Sequence, residues 1–168
     1  MLPLGLRNRL AELILDAFDE PESRRTIEAL AVYCESVDGR IGAHAASRLA
    51  GLGWFAFEGE CVRLLGGQFA HRGAICRRAA AALDALRRVP AFPDEESLHG
   101  LLGRAALLAD AGLYFEVHEL LEPAWMRASD PERIALQALI QIAVALHHAE
   151  NGNREGAVSL LTEGLAKL

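Results

Sequence analysis

Apolar residues at 6, 10, 13, 14, 17 and 18 recur with the spacing of one face of an α-helix. Asp19-Glu20-Pro21 interrupts that face, since proline cannot continue a helix. A second helical pattern runs over residues 22–37, with Ile27, Leu30, Ala31 and Cys34 on one side, and stops at the turn signal Asp38-Gly39. A short helix over 41–52 is punctuated by Gly51 and Gly53. The next segment, WFAFEGECVRLL, changes character. Aromatic and β-branched residues flank Glu58-Gly59-Glu60, the pattern of a small hairpin. A helix rich in Ala and Arg is predicted over 68–89, followed by the linker-like Pro90-Ala91-Phe92-Pro93. Four more helices are predicted over 95–111, 113–128, 131–151 and 154–168. Asp94 is placed to cap the first, with Glu95 and Glu96 in the first turn. Gly112 and Gly152 stand where C-terminal caps belong, and Pro131 suits a first turn.

The chain therefore reads as mainly α, in three parts: 1–67, a connecting helix and linker over 68–93, and a helical domain over 94–168. The order helix, helix, short helix, hairpin resembles a winged helix-turn-helix over 22–65. In that likeness the helix from Ile41 is the recognition helix, with Arg40, His44, Ser47 and Arg48 as its groove-facing residues. Glu58 and Glu60 at the tip of the wing oppose phosphate binding.

The C-terminal helices repeat at an offset of 40. ADAGLYFEVHELLEPAW, from Ala109, aligns with AENGNREGAVSLLTEGL, from Ala149. This predicts a bundle of two helical hairpins of tetratricopeptide-like kind. Two such units can cover one another's apolar faces. The copies disagree at three places: His118 falls on Val158, His148 on Leu108, and Gln141 on Leu101. Aliphatic counterparts point to inward positions, where a polar group without a partner costs about 1–3 kcal/mol. Polar groups so placed should meet one another or a ligand. His118 and Glu122 are four apart on one helix face, with Trp125 a turn further on. Gln141 and His148 are seven apart on the next helix, and antiparallel packing would bring the two sets together.

Composition narrows the picture. A net charge of -6 argues against a whole-protein nucleic-acid binder. The charge is uneven: residues 40–93 hold eight Arg and three acidic residues, residues 96–168 five basic and ten acidic. No apolar run approaches the ~20 residues of a membrane span. The charges Arg7, Arg9, Glu12 and Asp16 make the N-terminus an amphipathic helix rather than a signal peptide. The three cysteines, Cys34, Cys61 and Cys76, form no C-x-x-C pair, an odd count that suits buried thiols in a reducing cytoplasm. No Gly-rich phosphate loop or serine elbow is present.

HELLEPAW, as His118-x-x-x-Glu122-x-x-Trp125, resembles the H-x-x-x-E-x-x-W/Y signature of the domain of unknown function 309 family. The resemblance continues through ALIQIAVALHHAENGN, from Ala138 to Asn153, and covers residues 100–168. It implies a helical domain without an established activity, whose signature is associated with metal binding. By that likeness His118 and Glu122 are the motif pair, Trp125 its aromatic end, and Gln141 and His148 belong to a second recurrent stretch. Pro123 departs from a regular motif helix and would bend it beside Glu122.

His118, Glu122 and His148 would offer two imidazoles and a carboxylate, a set suited to a divalent metal such as zinc or iron. Glu119 or Glu116 could add a fourth ligand or a base. His147 would point about 100° away from His148 and stay outside. Three functional classes stay open: a metal- or small-ligand-binding helical domain, with or without catalysis; a non-enzymatic interaction module, for example a homo-oligomer; and a winged-helix regulator with a C-terminal sensor. A polar network that fixes helix pairing without any ligand accounts for the same residues.

Overall fold

The computed structural model describes residues 2–89 and 97–168. Two compact units result, Met1–Arg87 and Arg88–Leu168. The first contains α1 (Leu4–Asp16), α2 (Pro21–Glu35), α3 (Ala43–Ala50), β1 (Phe55–Glu58), β2 (Cys61–Leu64), α4 (Gly66–Phe69) and α5 (Arg72–Arg87). Pro21 both ends the first helical pattern and opens α2 at its first position, where a missing N–H costs no hydrogen bond. Leu10 and Ile14 of α1, Ile27 and Leu30 of α2, Leu49 of α3, and Ile75 and Leu86 of α5 form the core. These are the apolar positions spaced three and four apart in the chain.

The hairpin pairs Phe55 with Leu64 and Glu58 with Cys61, so Gly59 and Glu60 make the turn as expected. Gly39 adopts φ +79°, and a Cβ there would run into the Val62 carbonyl. Val62 N–H donates to the Gly39 carbonyl at 2.8 Å, so this glycine lets the chain after α2 reach the hairpin. The four-residue α4, begun by Gly66 and Gly67, has no periodic signal and escaped the sequence reading.

The cysteine expectation needs correction. Cys34 of α2 and Cys76 of α5 form a disulfide, with Cα atoms 5.5 Å apart and a separation of 42 positions in sequence. Only Cys61 is a free thiol. The bond ties α5 to α2, and Arg72 at the start of α5 reinforces it. The guanidinium donates to the carbonyls of Cys34 and Ser36 at 3.1 and 3.0 Å, closing the C-terminal end of α2. It also lies 5.3 Å above the Tyr33 ring. The helix expected to serve as a connector is thus part of the first unit. Residues 90–93, expected as linker, and Asp94 to Glu96, expected as cap and first turn, lie outside the described residues.

The second unit contains α6 (Leu98–Asp110), α7 (Tyr114–Arg127), α8 (Glu132–Glu150) and α9 (Arg154–Leu165). The offset of 40 is visible in the backbone. α6 and α8 end at 110 and 150, and α7 and α9 begin at 114 and 154. Gly112 and Gly152 between them adopt φ +72° and +79°, the left-handed state that favours glycine after a helix. Ser97 caps α6 by accepting from Gly100 N–H, and Asn153 caps α9 by accepting from Gly156 N–H, each at 3.1 Å. α6 packs on α7, and α8 packs on both α7 and α9. Leu108, Leu113, Leu121 and Leu136 fill the interior. Among the described residues, no helix is long and apolar enough to cross a membrane.

Candidate metal centre on helix α7

α7 runs unbroken from Tyr114 to Arg127, through Pro123. Proline has no N–H, so the Glu119 carbonyl four residues earlier loses its usual helical donor. His118, Glu119 and Glu122 project from the same part of this helix. One nitrogen or oxygen from each can be chosen so that all lie within 4.8 Å of one another. His118 Nδ1 is 3.2 Å from Glu119 Oε1, and His118 Nε2 is 3.8 Å from Glu122 Oε2. All three residues are half-buried. This group could hold a metal.

The two imidazole nitrogens face different carboxylates, and that has a chemical consequence. With the ring proton on Nδ1, towards Glu119, Nε2 would present a lone pair on the side of Glu122. Phe115 packs behind the imidazole, its ring centre 6.0 Å from that of His118. On its other side Phe115 meets His147 of α8, at 5.6 Å.

Gln141 and His148 are placed elsewhere. Gln141 Nε2 donates to Glu163 Oε2 of α9 at 3.0 Å. His148 Nδ1 lies 2.6 Å from the Asn153 amide at the start of α9. Both therefore face α9, and neither joins the group on α7. His147, expected to point away, is the α8 histidine nearer this group through Phe115. The reason is geometric. α8 touches two helices, and adjacent residues differ by about 100° around its axis. Glu116 is fully buried, outside the group. That is two residues from His118, on nearly the opposite side of the helix.

Trp125 lies one turn beyond Glu122, with the Arg133 guanidinium of α8 4.8 Å above its ring. Its Nε1 is shut off from solvent and has no hydrogen-bond partner among the described residues; the same is true of Gln141 Oε1. A cleft of about 660 Å³ opens along α7, lined by Leu120, Pro123, Ala124 and Arg127 together with Ser97 and Leu101 of the α6 region. These α7 residues stand on the far side of the helix from His118. The cleft is therefore distinct from the titratable group.

In the first unit, two of the four groove-facing candidates are engaged with acids. Arg48 pairs with Glu22 of α2 and donates to His44 at 3.2 Å. Arg40 lies 3.6 Å from Asp38. The Arg48 guanidinium, bonded to the Glu22 carboxylate, holds its pKa below the ordinary value. The Arg40 backbone N–H does the same for Asp38. His44 and Ser47 are exposed on α3. The expected helix-and-hairpin order is present, but two of its four candidate contacts already have acidic neighbours.

The family model for a domain of unknown function, DUF309, matches residues 95–160. The match includes α6, α7 and α8 and extends into α9, with the whole His118-to-Trp125 motif inside it. No curated protein and no solved structure in the comparisons matches the chain.

Proposed function

We propose that the C-terminal unit, carrying a DUF309 domain over residues 95–160, binds a divalent metal on α7. His118 Nε2 and a Glu122 carboxylate oxygen are the ligands, and Glu119 orients the imidazole. The observation that carries this reading is the approach of three donor groups to within 4.8 Å on one helix. The donor set fits. An imidazole held by a carboxylate through its other nitrogen is the usual arrangement of a metal-binding histidine. A single imidazole with carboxylate oxygens also makes a set richer in oxygen than the two histidines and one carboxylate read from the sequence. That extends the range from zinc and iron towards manganese. Two protein ligands leave coordination positions for water or a small oxygen-bearing ligand, so the ion would act as a Lewis acid or as an anchor. The buried Trp125 N–H, one turn away, is a donor such a ligand could use.

Elemental analysis of protein purified without a histidine tag tests this, together with melting curves in the presence of chelator and of added Zn²⁺, Mn²⁺ or Fe²⁺. The wild type should retain metal and lose melting temperature on chelation. His118→Ala and Glu122→Gln should abolish both effects. Glu119→Gln, which removes only an orienting partner, should weaken affinity by about 10–100-fold. A wild type that holds no metal, and whose melting responds neither to chelator nor to added ions, would sink the proposal.

A further inference from the structure

Cys76 stands in the run Arg72-Gly73-Ala74-Ile75-Cys76-Arg77-Arg78, whereas Cys34 is followed by Glu35 at the end of α2. The two halves of the disulfide therefore have unlike surroundings. Two guanidiniums gather over the first turn of α5. Arg72 donates to the Cys34 carbonyl at 3.1 Å, which puts its charge beside the bond. Arg77 folds back over Gly73, where a Cβ would meet its Nη1 at 3.6 Å. Cys76 rises one turn into the helix, and helical side chains lean towards the N-terminus, that is, towards this turn. Cys34 occupies the last turn of α2, at the carbonyl end. Cations and a helix N-terminus favour a thiolate. The negative end of a helix does not.

Nor does the bond alone hold α5 on α2. The two helices run antiparallel. Arg24 near the start of α2 donates to the Leu86 carbonyl near the end of α5 at 3.2 Å. Arg72 closes the opposite end through the Cys34 and Ser36 carbonyls. Between these ends Ile27 and Leu30 of α2, and Ile75, Ala79 and Ala82 of α5, are fully buried. Cys34 and Cys76 are themselves only half-buried. Access and a stabilised leaving thiolate are the two conditions for exchange with a dissolved thiol. The packing on either side lets the bond open without unfolding the unit.

We propose that Cys34–Cys76 is a reversible exchange site for low-molecular-weight thiols, with Cys76 as its leaving thiolate. An incoming thiolate attacks Cys34 Sγ. The S–S bond breaks, and its electron pair stays on Cys76 beside the Arg72 charge. Cys34 now carries the incoming thiol as a mixed disulfide. A second thiolate attacks the outer sulfur of that mixed disulfide, forms the small-molecule disulfide and releases Cys34 as a thiolate, which takes a proton from water. Two small thiols are oxidised to one disulfide, and the protein gains two electrons. An excess of the small disulfide drives the same steps in reverse. The His118 group takes no part.

Incubation of the full chain with reduced and oxidised glutathione, without denaturant, tests this. Alkylation and mass spectrometry then count the closed, open and mixed-disulfide forms, and circular dichroism reports the fold. More than half of the bonds should open at about 10 mM reduced glutathione, with the helical signal unchanged, and should close again in oxidised glutathione. Arg72→Gln should slow opening by about fivefold or more, and Arg72→Lys, which keeps the charge, should restore it. A purely structural Arg72 would give the opposite sign, since its loss loosens the end of α2. In a Cys61→Ser background, Cys76 left alone by Cys34→Ser should react with a small aromatic disulfide at least about tenfold faster than Cys34 left alone by Cys76→Ser. Three results would overturn the inference: a wild-type bond that opens only with denaturant or together with loss of helix, faster opening in Arg72→Gln, or a lone Cys34 as reactive as a lone Cys76.

Discussion

α7 and α9 begin 40 residues apart, follow the same positive-φ glycine, and pack on the same helix, α8. Their corresponding positions nevertheless have opposite fates. Leu121 is sealed in the core while its counterpart Leu161 is 36 % exposed, and half-buried His118 matches the exposed Val158. The repeat determines where a residue sits on its helix. The next element in the chain determines whether that place is covered. α7 has α8 after it, so its face can be partly closed around a polar group. α9 has no such successor among the described residues, and its face keeps the aliphatic character of a packing surface.

The largest effect that separates the two copies should come from truncating the matched leucines. Leu121→Ala removes a fully buried side chain and should cost about 2–5 kcal/mol, transfer and cavity together. Leu161→Ala, at the same place in the second copy, should cost about 1 kcal/mol or less when measured at dilutions where the chain is monomeric. Urea denaturation of both variants checks this. Similar losses would mean that α9 is covered within the chain itself.

The same pair shows why some of the structure was legible and some was not. Helix positions could be read because apolar residues three and four apart mark the buried side of any helix, whatever its partner; all eight predicted helices are present. The hairpin showed in its alternation around Glu58-Gly59-Glu60. His118 and Glu122 could be paired because a four-residue spacing is local geometry. Gln141 and His148 could not be placed so simply, because α8 has neighbours on two sides and no single inward face. Judging inwardness from the other copy failed at His118, whose counterpart Val158 is exposed, whereas Leu108, the counterpart of His148, is fully buried. The Cys34–Cys76 bond depends on α2 and α5 meeting in space, which local periodicity does not report.

A smaller effect, and one that should be equal in the two copies, is expected at the glycines. Gly112 and Gly152 both have φ near +75°, at +72° and +79°. A Cβ at Gly112 would meet Glu150 Oε1 at an ordinary 3.7 Å, and one at Gly152 would meet nothing within 4 Å. Space is therefore not limiting at either site, and the cost is conformational. Gly112→Ala and Gly152→Ala should each lose about 1–2 kcal/mol. A clear inequality in denaturation would show that the two turns are not energetically equivalent and that the repeat is one of outline alone.

The smallest effect should come from carrying the motif histidine across. Val158→His places on α9 the residue that α7 has at the same position. Val158 is 66 % exposed, so the substitution should stay within about 0.5 kcal/mol in a monomeric sample. It should not create metal binding either, because Ser159 and Thr162 stand where Glu119 and Glu122 stand in α7. The triple variant Val158→His, Ser159→Glu, Thr162→Glu restores the local donor spacing on exposed positions. It lacks the Phe115 backing, since Glu155 occupies that place. If metal affinity depends only on spacing along the helix, this variant should gain a second site of comparable strength. If it depends on the ring being held from behind, the new site should bind more weakly than the original, and a metal titration of the triple variant in a His118→Ala background separates the two. The packing of Phe115 between His118 and His147 makes the weaker site the expected result, because an imidazole free to rotate must lose that freedom on binding.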